Sequence, residues 1–115
     1  MLKKTESRIQ QEMFQWFWNN HCLPSNPNRE WIFHVPNENQ HRLISIGVYP
    51  GCSDLVLSWK GKTYFVEVKT EIGKQSPKQK KFEDHVHQCG NDYVLVRSLF
   101  EFQTFLLSLS NGNFK

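Results

Sequence analysis

Three cysteines are all the chain has, and Cys22, Cys52 and Cys89 show no C-x-x-C spacing. That leaves no thiol pair arranged for a zinc ribbon or a dithiol redox centre. The odd count, with no secretory h-region at the start, points to a reducing, cytoplasmic setting. No apolar run approaches the roughly eighteen residues of a membrane span, so no membrane association is expected. The six glycines nowhere form a phosphate-cradling loop, so no nucleotide cofactor is expected. No Ser-His-Asp or Cys-His arrangement offers an activated nucleophile. His85-x-His87-x-Cys89 looks like a zinc tract, but on a helix His85 and His87 point in different directions. Repeats, low-complexity tracts and linkers are also lacking, so residues 1–115 are expected to form one domain, with 110–115 as a frayed tail.

Aromatic side chains are abundant, with nine Phe and four Trp among 115 residues. They can build a core in a short chain. The net charge of +3 is compatible with a polyanionic partner.

The stretch that organises the rest is Leu55-Val56-Leu57-Ser58-Trp59, Lys60-Gly61, then Lys62-Thr63-Tyr64-Phe65-Val66-Glu67-Val68-Lys69. Two β-rich runs around a Lys-Gly pair read as a hairpin with a two-residue turn. If Trp59 faces Lys62, counting back along both strands sets Asp54 opposite Glu67. Their Cβ atoms then stand about 4.5–5.5 Å apart on one face, and like charges so placed repel. Lys69, two residues past Glu67, shares that face. A hard cation held by oxygen ligands, most simply Mg²⁺, resolves the repulsion. A lysine beside it can orient a water or meet developing negative charge.

Upstream, residues 5–20 read as a helix with Ile9, Met13, Trp16 and Phe17 on one stripe and Thr5 as N-cap. Glu6 lies on that stripe, and Gln10, one turn on, also faces inward. Residues 21–30 read as a loop and 31–35 as a strand stopped by Pro36. Residues 37–40 read as a turn, and 41–46 as either a short helix or irregular. Pro50-Gly51 redirects the chain, with Gly51 in a conformation that a Cβ would forbid.

Downstream, Ser76-Pro77-Lys78-Gln79 combines an N-cap, a first-turn proline and a capping-box glutamine. Phe82, Val86 and Cys89 give that helix an inward stripe, and Gly90 ends it. Gln79 can cap Ser76, face the sheet, or do both. Lys74, Lys78, Lys80 and Lys81 cluster at the helix start, where phosphate is attracted. Residues 93–97 read as an interior strand. Ser98-x-x-Glu101 caps a last helix whose Leu99, Phe102, Leu106 and Leu109 form one face. Trp16, Trp18 and Phe14 cannot share one stripe, which leaves surplus aromatics for an interface.

The pattern Asp54…Glu67-Val68-Lys69 resembles the PD-(D/E)XK nuclease superfamily. Pro50-Gly51-x-x-Asp54, Phe65-Val66-Glu67-Val68-Lys69, Ser76-x-x-Gln79 and Phe33-His34-Val35-Pro36-Asn37 together resemble its VRR-NUC branch, the virus-type replication-repair nucleases. Some branches carry a tyrosine four residues after the glutamine; Glu83 stands there, which disfavours the recombination-exonuclease type. The resemblance spans nearly the whole chain. It implies an α/β fold with a restriction-endonuclease-like αβββαβ core and a mixed sheet.

It also implies a metal site of Glu6, Asp54, Glu67 and the Val68 carbonyl, with Mg²⁺ replaceable by Mn²⁺. Lys69 and Gln79 join Asp54 and Glu67 as catalytic residues. Standalone, phage-type members are expected to be homodimers that resolve four-way DNA (Holliday) junctions in repair and recombination. A flap or restriction-like endonuclease, or an inactive DNA-binding accessory protein, is the alternative. His34 reads either as a phosphate contact or as a half-buried structural residue.

Overall fold

The computed structural model describes residues 3–35 and 51–110. Pro36, Asn37, the expected turn at 37–40, the segment 41–46, Pro50 and the tail 111–115 lie outside the described residues.

Helix α1 (Glu6–Phe17) starts where Thr5 accepts a hydrogen bond from the Arg8 amide, and it buries Ile9, Met13 and Phe17. The chain does not pass straight into a loop, as expected from residue 21 on. It continues as a π turn (Trp18–Cys22) that buries Cys22. The Asn20 side-chain amide donates to the Trp16 carbonyl at 2.7 Å. A side chain that caps a carbonyl inside the ladder favours this wider winding, which no hydrophobic period reveals.

Four strands follow: β1 (Trp31–His34), β2 (Leu55–Trp59), β3 (Lys62–Val68) and β4 (Asp92–Val96). They lie in the order β1-β2-β3-β4, antiparallel except for the parallel β3–β4 pair. The β2–β3 register is the expected one, with Trp59 opposite Lys62 and Leu55 opposite Val66. Lys60 and Gly61 both have positive φ, 49° and 86°, as a turn matched to strand twist requires. Helix α2 (Pro77–Gln88) crosses from β3 to β4, and α3 (Leu99–Ser110) closes the described chain, taking Ser110 from the expected tail.

The result is an α/β fold with a mixed sheet and helices on both faces. One face carries the main core. Leu55, Leu57, Tyr64, Val66, Val68 and Val96 meet Ile9, Met13 and Phe17 of α1 and Phe102 and Leu106 of α3. Each fully buried side chain of this size stabilises the fold by about 1.5–3 kcal/mol. On the other face α2 covers β3 and β4, where the Phe82 ring packs against Phe65 and Tyr93.

Three expectations need correcting. Among the described residues, β4 is at the edge of the four-stranded sheet, not inside it. Its apolar run reflects cover on both faces, which sequence cannot tell from interior pairing. Cys89 is exposed because the helix ends at Gln88, and the C-cap residue turns away from the stripe. The surplus aromatics of α1 and the π turn pack on the core: Phe14 stacks on Trp18, Trp16 meets Phe102 edge-on, and Phe14, Trp16 and Trp18 are partly buried. Among the described residues, the exposed large apolar ones are instead Trp31, Phe33, Ile72, Phe100 and Leu107. Among the described residues no helix is long and apolar enough to cross a membrane.

Candidate active site

The site forms where the hairpin ladder ends. Asp54 immediately precedes β2, and its carbonyl accepts from the Val35 amide at 2.9 Å. Its Oδ2 accepts from the Val68 amide at 2.7 Å. Thus a side chain occupies the last rung of the ladder and holds Asp54 beside the neighbour of Glu67. The Val68 side chain faces the core; only its backbone reaches the site.

Gly51, two positions before Ser53, adopts φ +76°, and a Cβ there would lie 2.5 Å from the backbone carbonyl of Lys78. The expected positive φ is present. A close approach accompanies it: the lead-in to β2 packs directly on the first turn of α2.

Glu67 is wholly buried, at 0 % exposure. Its Oε2 accepts from the Gln79 side-chain amide at 2.9 Å, and its Oε1 from the Tyr93 hydroxyl at 3.3 Å. Burial pushes its pKa up to about 9. The Asp54 carboxylate pushes the same way by charge and hydrogen bonding, while Lys69 pulls the other way. Lys69 is itself buried. Its Nζ lies 4.0 Å from Glu67 Oε2 and 3.9 Å from Glu6 Oε2, so Lys69 links Glu6 to Glu67. Its amide donates to the Val96 carbonyl at 3.0 Å, which fixes the backbone as β3 ends.

Gln79 performs both of the roles open to it. Its backbone amide donates to Ser76 Oγ at 3.2 Å, and its Oε1 accepts from the Ser76 amide at 2.8 Å. That closes the capping box and commits Oε1, so Nε2 turns to Glu67. The helix cap therefore decides which end of the amide meets the carboxylate.

Other neighbours were not singled out by sequence. Gln75 Nε2 lies 3.0 Å from both the Tyr93 hydroxyl and Glu83 Oε1, forming a polar chain behind Glu67. Burial and the Glu67 charge both raise the pKa of Tyr93. Tyr93 sits opposite Phe65 in the parallel β3–β4 register, on the Glu67 face. Only the strand order brings it there, so no local signal could have found it. His34 Nδ1 lies 3.0 Å from Gln10 Nε2 and 3.0 Å from the Asp54 carbonyl. This sets both residues, weak candidates by sequence, at the rim. Lys74, Lys78, Lys80 and Lys81 are exposed around the start of α2.

Asp54, Glu67, Lys69, Gln79 and Glu6 therefore gather at one end of the sheet. Among the described residues, no three His, Cys, Asp or Glu side chains form one metal-holding group. Glu6 meets Lys69 rather than joining the carboxylate pair. The pair still fits a hard cation: two acids are forced together, one buried and raised in pKa by the other. Mg²⁺ commonly takes one or two carboxylates and completes its shell with water and phosphate oxygens.

No family model matches the chain, and no curated protein matches it as a relative in sequence. Among solved structures, the similarity is to a "VRR_NUC domain protein", with a TM-score of 0.75 at 18% identity, covering 93% of this chain and 88% of that one. The chain has a VRR_NUC-like fold. At that identity the similarity speaks for the arrangement of helices and strands. The carboxylate–lysine cluster is an observation on this chain's own residues.

Proposed function

We propose that the chain is a metal-dependent endonuclease of the PD-(D/E)XK type, one catalytic domain over residues 1–115, hydrolysing DNA phosphodiesters. The observation that carries this reading is a buried Glu67 held against Asp54 with the Lys69 ammonium 4.0 Å away. An unpaired carboxylate in that environment is costly, and the chain spends Gln79 and Tyr93 on keeping it in place.

Asp54, Glu67 and the Val68 carbonyl would hold Mg²⁺ or Mn²⁺, with Glu6 alongside. Such an ion polarises a phosphoryl oxygen and makes bound water a better nucleophile. Lys69 orients the attacking water or meets the negative charge that develops on the phosphoryl group. Gln79, fixed by its cap, holds the Glu67 carboxylate in one orientation. Lys74, Lys78, Lys80 and Lys81 bind the DNA backbone beside the α2 N-terminus.

The substrate is branched DNA, four-way junctions first, cut by a homodimer in the cytoplasm. This part of the reading rests on the family resemblance and on symmetry, since paired nicks need two sites. The test is cleavage of labelled duplex, flap and four-way-junction DNA with and without Mg²⁺. Asp54→Ala and Lys69→Ala are expected to abolish cutting and leave junction binding intact. Cutting by either variant at the wild-type rate overturns the site assignment.

A further inference from the structure

Helix α2 covers only half of its face of the sheet. Over β3 and β4 it supplies the Phe82 ring, which meets Phe65 edge-on. Among the described residues, none covers the β1–β2 half of the same face. There Trp31 pairs with Ser58 and Phe33 with Val56, and the two rings are 51% and 54% exposed. These four residues share the face of Glu67, because Val56 pairs with Phe65, two positions before Glu67 on β3.

We propose that Trp31 and Phe33 form a stacking platform for unpaired nucleobases beside the scissile phosphate. The inference rests on the nuclease reading above and, among branched DNAs, favours those with unpaired nucleotides next to the cut, such as flaps, over the fully paired four-way junction.

Three observations favour nucleic acid as the occupant. The first is continuity with the site. Phe33 stands one strand over from Val56, and Val56 is two residues along β2 from Asp54, so Phe33 and Asp54 backbones lie roughly 8 Å apart. The second is spacing. Trp31 and Phe33 are two residues apart on one strand, about 6.8 Å. That is about twice the 3.4 Å rise of a base along its strand, the interval at which rings and bases alternate in a stack. The third is charge. The Arg29 guanidinium lies 4.5 Å over the Trp31 ring and is anchored by donating to the Cys22 carbonyl at 2.6 Å. Glu30, next in the chain, accepts from the Ser58 hydroxyl at 3.3 Å and the Lys60 amide at 2.8 Å, so that border carries both signs, while exposed lysines cluster at the start of α2. Aromatic rings on the same sheet as a lysine-bearing helix start suit a strand with bare bases and a charged backbone.

The experiment measures binding of wild type and of a Trp31→Ala/Phe33→Ala double variant to fluorescent DNAs without Mg²⁺. The probes are an oligothymidylate, a flap duplex and a fully paired duplex of equal length. The double variant is expected to lose about tenfold or more in affinity for the oligothymidylate and the flap. Affinity for the paired duplex should change less than about twofold, since backbone contacts carry it. Trp31→Phe should keep the affinity while removing the quenching of tryptophan fluorescence that oligothymidylate produces.

A double variant that binds oligothymidylate as tightly as wild type overturns the platform. So does light scattering that shows wild type as a dimer and the double variant as a monomer, because the rings then cover a second copy. If wild type binds neither the oligothymidylate nor the flap, the platform fails, while the nuclease reading is decided separately by the junction-cleavage assay above. If the double variant loses affinity for all three alike, only the platform fails.

Discussion

Glu67 is a residue whose ionisation the fold opposes strongly. In the unfolded chain its carboxyl has the ordinary value near 4.5, and in the folded chain about 9. The folded state therefore holds the proton more tightly. The stability that this group contributes is full below about pH 4.5 and is lost as pH rises through 9. Across that window the loss approaches about 1.4 kcal/mol per pH unit. Metal-free protein should melt at a lower temperature as pH rises from 5 to 8, relative to Glu67→Gln, whose side chain has no proton to lose. Saturating Mg²⁺ should flatten the wild-type slope; thermal melts of both proteins at several pH values check this. An unchanged difference between the two across that range contradicts the raised value. Tyr93 acts through Glu67. In Tyr93→Phe the ring packing against Phe82 survives, but the hydroxyl that donates to Oε1 is lost. Removing an orienting partner of this kind commonly costs about 10- to 100-fold in metal affinity or activity. A Mg²⁺ titration of cleavage should show that loss, with melting displaced far less than by a core truncation.

At the scale of elements, the lead-in to β2 and the start of α2 form one unit through Gly51. Gly51→Ala would add a Cβ 2.5 Å from the Lys78 backbone at a φ of +76°, where no flexible side chain can yield. The variant should lose more than about 1 kcal/mol of stability. Because Gln79 begins beside that contact and donates to Glu67, cleavage should fall further than stability alone explains. Urea unfolding together with cleavage rates separates the two effects. The β2–β3 hairpin and the α2 cap could both be read from the chain. A Lys-Gly turn sets the pairing by counting, and Ser76 with Gln79 is a contact over three residues. The π turn and the edge position of β4 could not be read so. The first depends on a side chain taking a carbonyl from the helix ladder, the second on which elements cover which face.

Taken as a whole, the described residues place an acidic pair between a lysine-bearing helix start and a half-sheet with exposed Trp31 and Phe33. If Lys80 and Lys81 each neutralise a phosphate, replacing either with alanine should reduce the slope of log affinity against log salt by about 1 and weaken all DNAs alike. A salt titration of duplex binding measures this; an unchanged slope removes that lysine from the interface. The rim of the site shows how little of such an arrangement is local. Glu6 and Gln10 come from α1, His34 from β1, and Tyr93 from β4, and they converge because both faces of one sheet must be covered.

By itself the sequence determined what depends on near neighbours: the hairpin register that opposes Asp54 and Glu67, the placing of Lys69 two residues on, and the helix caps. Turns and caps act over a few residues, so their geometry is written in the residues themselves. Tertiary structure alone decided that Lys69 links Glu67 to Glu6, that the capped Gln79 finds Glu67 within reach, and that Tyr93 closes the site from behind. Those contacts depend on parallel pairing across α2 and on which half of the sheet each helix covers. Packing of the whole chain selects both.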